Sequence, residues 1–355
     1  MTRHKWSPRC PPPMRLVRPV PVDPSGVRGP TRGQANGPNW RRTSYGYFVP
    51  SEVDSTIPEQ RIMEQSVRLP EGGAVTGWGA CRLWGANFLD GLAADRRTLI
   101  PVPLVVGPTG SIRRGAAISI SRERFEPHEM AVLYGIPCSR RLRALFDEMR
   151  RVRDWREAVV TMDMMAAADQ VSVRQMLGYA ADRPSWNGIG QVRRALGFAD
   201  ENSRSPKETR MRLIWQVDAG FPRPLVNQHV WDLNGKLLGI ADLLDPAAGV
   251  VGEFDGAHHR GARRHSADLN RESGFRDHDL GFFRVMGLDL QDTDLVVRRM
   301  QSAMSRAKWL PEGKRAWTIE PPSGWAPEPT LDEILERRDW LTAACEDESL
   351  PAVQN

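Results

Sequence analysis

The sequence predicts an α/β protein in which residues 201–310 form a small mixed sheet flanked by helices and residues 45–200 form a mainly helical α+β domain. Three observations lead there. After Ser205, a helical stretch to about Ala219 is followed by three strand-like runs at 225–232, 237–244 and 250–255. A helix at 263–278, a strand at 281–286 and a helix at 291–306 then complete the alternation. The chain has 355 residues, 40% of them hydrophobic, enough apolar surface for two modest cores. Finally, the polar break Glu201-Asn-Ser-Arg-Ser205 separates the two patterns.

Residues 1–44 read as a disordered basic arm. Up to Arg42 they hold nine prolines, nine Arg or Lys and a single acid, Asp23, without a sustained apolar period. In the next domain, Pro58 to Leu69 and Gly73 to Leu89 have helical periodicity, and Cys81, Trp84 and Phe88 share a face. Leu99 to Val106 and Ala116 to Ser121 are strand candidates of a small sheet, separated by the turn-forming Gly107-Pro-Thr-Gly110. Arg140 to Arg151, Trp155 to Asp169 and Val171 to Tyr179 read as successive helices. Leu142, Leu145, Phe146 and Met149 make one apolar stripe, and Met162, Met164, Met165 and Met176 are expected to fill the core. Residues 311–355 read as a tail with a short helix, Thr330 to Ala344, and the acidic end Glu346-Asp-Glu348.

A net charge of +5 and a pI near 9.3 favour polyanionic partners. Cys10, Cys81, Cys138 and Cys345 lie far apart, which argues against a disulfide framework or a cysteine zinc site and suits a reducing cytoplasm. Without an apolar run of roughly 18–20 residues, no membrane partner is expected.

The chemistry gathers at 208–259. Lys236 to Leu244 and Val250 to Asp255 flank Asp245-Pro-Ala-Ala-Gly249, the composition of a hairpin turn. If Asp245 faces Val250, Asp242 lies opposite Glu253 and Asp255 follows on the same face, so three carboxylates are expected to converge. Like charges so placed repel, and a divalent cation is the natural counterion; Mg²⁺ or Mn²⁺ suits hard oxygen donors. Asp242 is the most telling residue, since it interrupts the apolar run Leu237-Leu-Gly-Ile-Ala-Asp-Leu-Leu244. Glu208 has two readings, a metal-site contact or the reciprocal partner of Ser205 in a capping box with Pro206 at the first helical position. His258 and His259 would point to opposite faces of a strand, and His259 is the one expected at the site. Arg260, Arg263, Arg264 and Arg271 follow as candidate phosphate contacts.

The segment Glu253-Phe-Asp-Gly-Ala-His-His259, with Gly239-Ile-Ala-Asp-Leu243 and the helical Glu208 before it, resembles PD-(D/E)XK nucleases of the very-short-patch-repair endonuclease branch. Asp268, Arg271 and Phe282-Phe-Arg-Val285 extend the likeness over residues 201–290. It implies a restriction-endonuclease-like fold and a Mg²⁺-dependent endonuclease acting on DNA. Asp242 and Glu253 would bind the metal, and Asp255 and His259 would assist at the reacting phosphate. Asp255 stands where the general E-x-K motif has lysine; in this branch an E-x-D-G-x-x-H arrangement is usual, which gives His259 a role in proton transfer.

Upstream, Arg42-Thr-Ser-Tyr-Gly-Tyr-Phe-Val-Pro50, Ala74-Val-Thr-Gly-Trp-Gly-Ala-Cys-Arg-Leu-Trp-Gly85 and Ala158-Val-Val-Thr-Met-Asp-Met-Met165 resemble the C-terminal part of AbiEi-type antitoxins. A winged helix-turn-helix normally precedes that region; here only its last strand, around Tyr45 to Val49, is expected. This likeness implies a toxin or defence-system protein partner. It also supports a second reading, a noncatalytic nucleic-acid-binding regulator or antitoxin.

Overall fold

The computed structural model describes residues 16–93, 95–255 and 272–347, and the chain divides into two units, Met1–Leu196 and Gly197–Asn355. The division falls a few residues before the expected polar break.

The first unit begins with a correction. Residues 1–15 lie outside the described residues, but 16–44, expected as part of a disordered arm, carry β1 (Val20–Pro21), α1 (Arg32–Ala35) and β2 (Trp40–Ser44). With β3 (Tyr47–Pro50) the strands form an antiparallel sheet in the order β1-β3-β2. Local polar bonds supply the order that apolar periodicity does not. The Asp23 carboxylate accepts N–H bonds from Ser25, Val27 and Arg28, which hold its pKa down at about 2. Thr31 and Gln34 close a capping box on α1, and the Gln60 side chain bonds both backbone groups of Val17.

A five-stranded sheet follows, ordered β6-β5-β4-β8-β7: β4 (Ala74–Val75), β5 (Val102–Val105), β6 (Ile118–Ser121), β7 (Met130–Leu133) and β8 (Ile136–Ser139). The sheet content exceeds the expectation. The β7–β8 hairpin turns on Tyr134 and Gly135, both at positive φ (52° and 73°), as a two-residue primed turn requires. Helix α2 (Pro58–Ser66) lies where expected, but the helix expected over 73–89 is divided. Ala74 and Val75 join the sheet, and α3 (Gly77–Leu83) starts at a glycine with φ +52°. A Cβ on Gly77 would stand 2.7 Å from Oε2 of Glu148, so the close approach requires glycine. Helices α4 (Arg141–Arg151), α5 (Trp155–Ala167), α6 (Val173–Ala181) and α7 (Ile189–Phe198) follow, and all four methionines expected in the core are buried. Cys81 and Cys138 are free and buried, and burial pushes the Cys138 thiol up to about 12.

Helix α4 buries more than its apolar stripe. Arg143, Asp147 and Arg150 on its polar side are also buried. Asp147 accepts from Arg143 Nε (3.0 Å), Arg150 Nη2 (2.7 Å) and Thr76 Oγ1 (2.7 Å). Glu129 takes Arg143 and the Tyr179 hydroxyl, and Glu123 takes Arg150. Both guanidiniums also lie against the Trp186 ring, 4.7 and 4.9 Å from its centroid.

Next to this network, Glu148 accepts the Trp78 N–H at 2.8 Å, and burial pushes its pKa up to about 7. A carboxyl raised on folding contributes stability that is fully present below its ordinary 4.5 and is lost as pH rises through about 7. Glu148→Gln keeps an acceptor for Trp78 but does not ionise. The variant should therefore gain stability over the parent between pH 5 and pH 8, measured as the shift in urea midpoint; a constant difference between the proteins across that range would contradict the assignment.

The second unit follows the expected order closely. Helix α8 (Pro206–Leu213) runs into a single wider turn, Ile214–Asp218, and β9 (Leu225–Asp232), β10 (Leu237–Asp245), β11 (Val250–Asp255) and β12 (Gly281–Met286) form the sheet. A helical stretch is described over 272–277, and α9 (Thr293–Ser305) follows β12. With β13 (Trp317–Thr318), the order across the sheet is β12-β11-β10-β9-β13; β11 and β12 are parallel and the other pairs antiparallel. One face packs Met211, Trp215, Leu243, Phe283, Val296 and Met300, the other Val230, Leu244, Val251, Phe275, Phe282 and Trp317. Gly252 allows this packing, because a Cβ there would meet the Phe283 ring at 2.2 Å.

The 311–355 segment is corrected too. Its residues Trp317 and Thr318 form edge strand β13 against β9, with Trp317 3% exposed, and its helix is α10 (Leu331–Asp347). A tail was expected because two residues are too few to show a strand period. A fragment of residues 197–347 should consequently melt cooperatively, and one ending at 310 should lose about 3–5 kcal/mol with the buried tryptophan. Equal urea midpoints for the two fragments would show that β13 adds nothing. Among the described residues, no helix is long and apolar enough to cross a membrane.

Candidate active site

The β10–β11 turn is built by Asp245. Its Oδ1 accepts the N–H groups of Ala247 and Ala248 (2.9 and 3.0 Å), and Gly249, at φ +67°, closes the four-residue loop. From this turn the strands pair as Asp245↔Val250, Leu244↔Val251 and Leu243↔Gly252. There the ladder stops, while β11 continues beside β12 as far as Asp255↔Met286. Extending the hairpin register by one residue sets Asp242 opposite Glu253, the expected juxtaposition. In place of a main-chain ladder bond, the Asp242 carboxylate bridges the parting strands: its Oδ2 accepts the Phe254 N–H at 2.7 Å. Two acids thus meet where β10 leaves β11, with Asp242 half-buried and Glu253 only 8% exposed.

On its other edge, β10 pairs with β9 through Ala241↔Gln228 and Leu243↔Val226, and the intervening pair, Asp242 and Asn227, is skipped. Asn227 has φ +49° inside a strand, a left-handed conformation that asparagine tolerates better than most residues. Its side-chain amide leaves the sheet for α8, donating to Glu208 Oε2 (3.0 Å) and to the Asn202 carbonyl (2.7 Å). By register, Asn227, Asp242 and Glu253 occupy one row across three strands. Strained backbone at such a point is a usual mark of a functional site. Sequence reasoning missed Asn227; its one signal is a polar residue after Leu225-Val226.

Glu208 follows its capping reading with a shift. Ser205 Oγ accepts the Glu208 N–H (3.2 Å), but the Glu208 carboxylate accepts the N–H of Arg204 (2.9 Å), one residue before the position a capping box uses. With Asn227 on the same oxygen, Glu208 joins α8 to the strained residue of β9.

Asp255, half-buried at the end of β11, lies two residues beyond Glu253 and so roughly 6.6 Å along the strand. Among the described residues, no group of three or more His, Cys, Asp or Glu side chains that could hold a metal ion is found, so the expected convergence of three carboxylates is not seen among them. Asp242 and Glu253 remain as the opposed pair. As hard oxygen donors they fit Mg²⁺ or Mn²⁺, which commonly takes one or two protein carboxylates. Arg284, the parallel neighbour of Glu253, directs its guanidinium to Glu272 (2.9 Å). Lys207 Nζ lies 5.5 Å from the Phe254 ring, on the α8 side of the sheet. Glu253 alternates to the other side with Val251, so Lys207 does not stand in for the lysine of an E-x-K motif. His258, His259, Arg260, Arg263, Arg264, Asp268 and Arg271 lie outside the described residues. No family model matches the chain, and no curated protein or solved structure matches it.

Proposed function

We propose that the Gly197–Asn355 unit is a restriction-endonuclease-like domain that hydrolyses phosphodiester bonds in DNA with Mg²⁺ or Mn²⁺. The observation that supports this most is the meeting of Asp242 and Glu253 where β10 parts from β11, in a unit ordered helix, three strands, helix, strand, helix with the last strand parallel to its neighbour. The two acids would hold the cation at the point where the strands part. A divalent cation so held supplies charge neutralisation at the phosphate and a more acidic water.

The protein's own groups have distinct tasks in this reading. The Phe254 N–H fixes the Asp242 carboxylate so that its orientation does not depend on the metal. Asp255 at the open end of β11 and His259 beyond it assist proton movement at the reacting phosphate, and Arg260, Arg263, Arg264 and Arg271 bind flanking phosphates. Glu208, tied to Asn227, keeps β9 in the strained geometry opposite Asp242.

The AbiEi-like first unit would supply substrate contacts or bind a toxin or defence-system protein. A second reading, a noncatalytic regulator with the same fold, is favoured by the missing lysine, in whose place Asp255 stands. Incubating the full chain with plasmid DNA, linear duplex and RNA in Mg²⁺, Mn²⁺ or EDTA decides between them. Cation-dependent cleavage supports the nuclease, and binding without cleavage supports the regulator.

A further inference from the structure

The β2–β3 hairpin of the first unit ends in Tyr45 and Gly46, and Tyr45 is 66% exposed at its tip. The Arg113 guanidinium lies 4.3 Å from the centroid of this ring and that of Arg42 lies 5.3 Å from it. Arg68, near the C-terminal end of α2, donates to the Arg113 carbonyl and to Gln65 Oε1 (3.2 Å). Burial, then the adjacent Arg113 charge, pulls the Arg68 pKa down. Arg114 extends the cluster along the chain and is exposed.

Among the described residues, Arg42, Arg68, Arg113 and Arg114 form no ion pair, whereas Arg41 next door is bound to Glu64 at 2.6 Å. Three segments distant in sequence thus bring guanidiniums together without an acid, and attraction to the Tyr45 ring offsets part of their repulsion. Such a cluster is an incomplete electrostatic arrangement that an anion completes.

We propose that the first unit carries a nucleic-acid-binding surface of its own, in which Arg42, Arg68, Arg113 and Arg114 grip the phosphodiester backbone beside Tyr45. Phosphates match guanidinium forks, and an exposed ring among them gives a nucleobase something to stack on, the combination used by sequence-tolerant binders of single strands. An acidic peptide would use the charges but not the ring. A lipid surface calls for several apolar anchors, and beside Tyr45 and the arginines the chain offers Ser44, Gly46 and Gly115 with a single aliphatic neighbour, Ile112. This surface does not rest on the nuclease reading, since it lies within the Met1–Leu196 unit.

The test is fluorescence anisotropy with the full chain in EDTA, using labelled oligothymidylate and a labelled duplex over a range of salt concentrations. Arg42→Glu with Arg113→Glu should weaken binding at least about 10-fold and flatten the slope of log affinity against log salt by about 1.5, as expected for two lost phosphate contacts. Tyr45→Ala should weaken single-strand binding about 10-fold and duplex binding less. Arg42→Gln with Arg113→Gln should act in the same direction with a smaller loss, and keeps the test decisive if charge reversal impairs folding. Unchanged affinity and slope in a folded variant would overturn the proposal. So would variants that lose binding to phosphatidylserine vesicles or to polyglutamate while holding oligothymidylate as before. Because EDTA suppresses cleavage, this assay reads binding alone, and the Arg42 and Arg113 variants can fail here while cation-dependent cleavage at the carboxylate site is scored separately in Mg²⁺.

Discussion

Asp242→Asn should lower cation-dependent cleavage at least about 100-fold, the equivalent of about 2.7 kcal/mol of barrier, while leaving the fold intact. Asparagine keeps a carbonyl oxygen that can accept the Phe254 N–H, so the bridge between β10 and β11 survives. What disappears is the anionic donor facing Glu253. In EDTA the variant should melt at the parent temperature or slightly above, because the two opposed carboxylates no longer repel. A purely structural role for Asp242 requires the other pattern, in which the variant melts lower with and without Mg²⁺ and loses activity only as far as it unfolds. Paired melting and cleavage curves, each with Mg²⁺, Mn²⁺ and EDTA, separate the two. Cleavage at the parent rate would remove Asp242 from the metal site.

The largest effect on stability is expected from Asp147→Leu, a loss of about 3–5 kcal/mol read from urea denaturation. Asp147 is 0% exposed and receives Arg143, Arg150 and Thr76 together. Removing it leaves two guanidiniums on the buried side of α4 with one partner fewer each, Arg143 keeping Glu129 and Arg150 keeping Glu123. Breaking one member of a buried ion network costs far more than an exposed pair is worth, because the surviving charges keep their desolvation cost. Replacing Arg143, Asp147 and Arg150 together by apolar residues of similar size should therefore cost less than the single substitution. A loss below about 1 kcal/mol for Asp147→Leu would mean that water reaches the network.

Much of the second unit was already legible in the amino-acid order. Strands Leu225–Asp232 and Gly281–Met286 coincide with their expected limits, and β10 and β11 differ by a residue at most. Turn chemistry and apolar runs are local properties, so Asp245-Pro-Ala-Ala-Gly249 specifies both the loop and, through antiparallel register, the opposition of Asp242 and Glu253. The candidate pair was therefore accessible from residue spacing alone. Asn227 was not: its positive φ and its reach to Glu208 depend on β10 and α8 lying on either side of it, a relation between segments that no local pattern encodes. For the same reason Trp317 read as part of a tail until β9 offered it an edge, and Arg42, Arg68 and Arg113 read as scattered charges until a hairpin, a helix end and a loop met around Tyr45. The sequence by itself determined the periodic elements and the contacts made across tight turns. Tertiary structure decided which polar side chains became buried partners, as on α4, because the cost of burying a charge is set by neighbours brought from elsewhere in the chain.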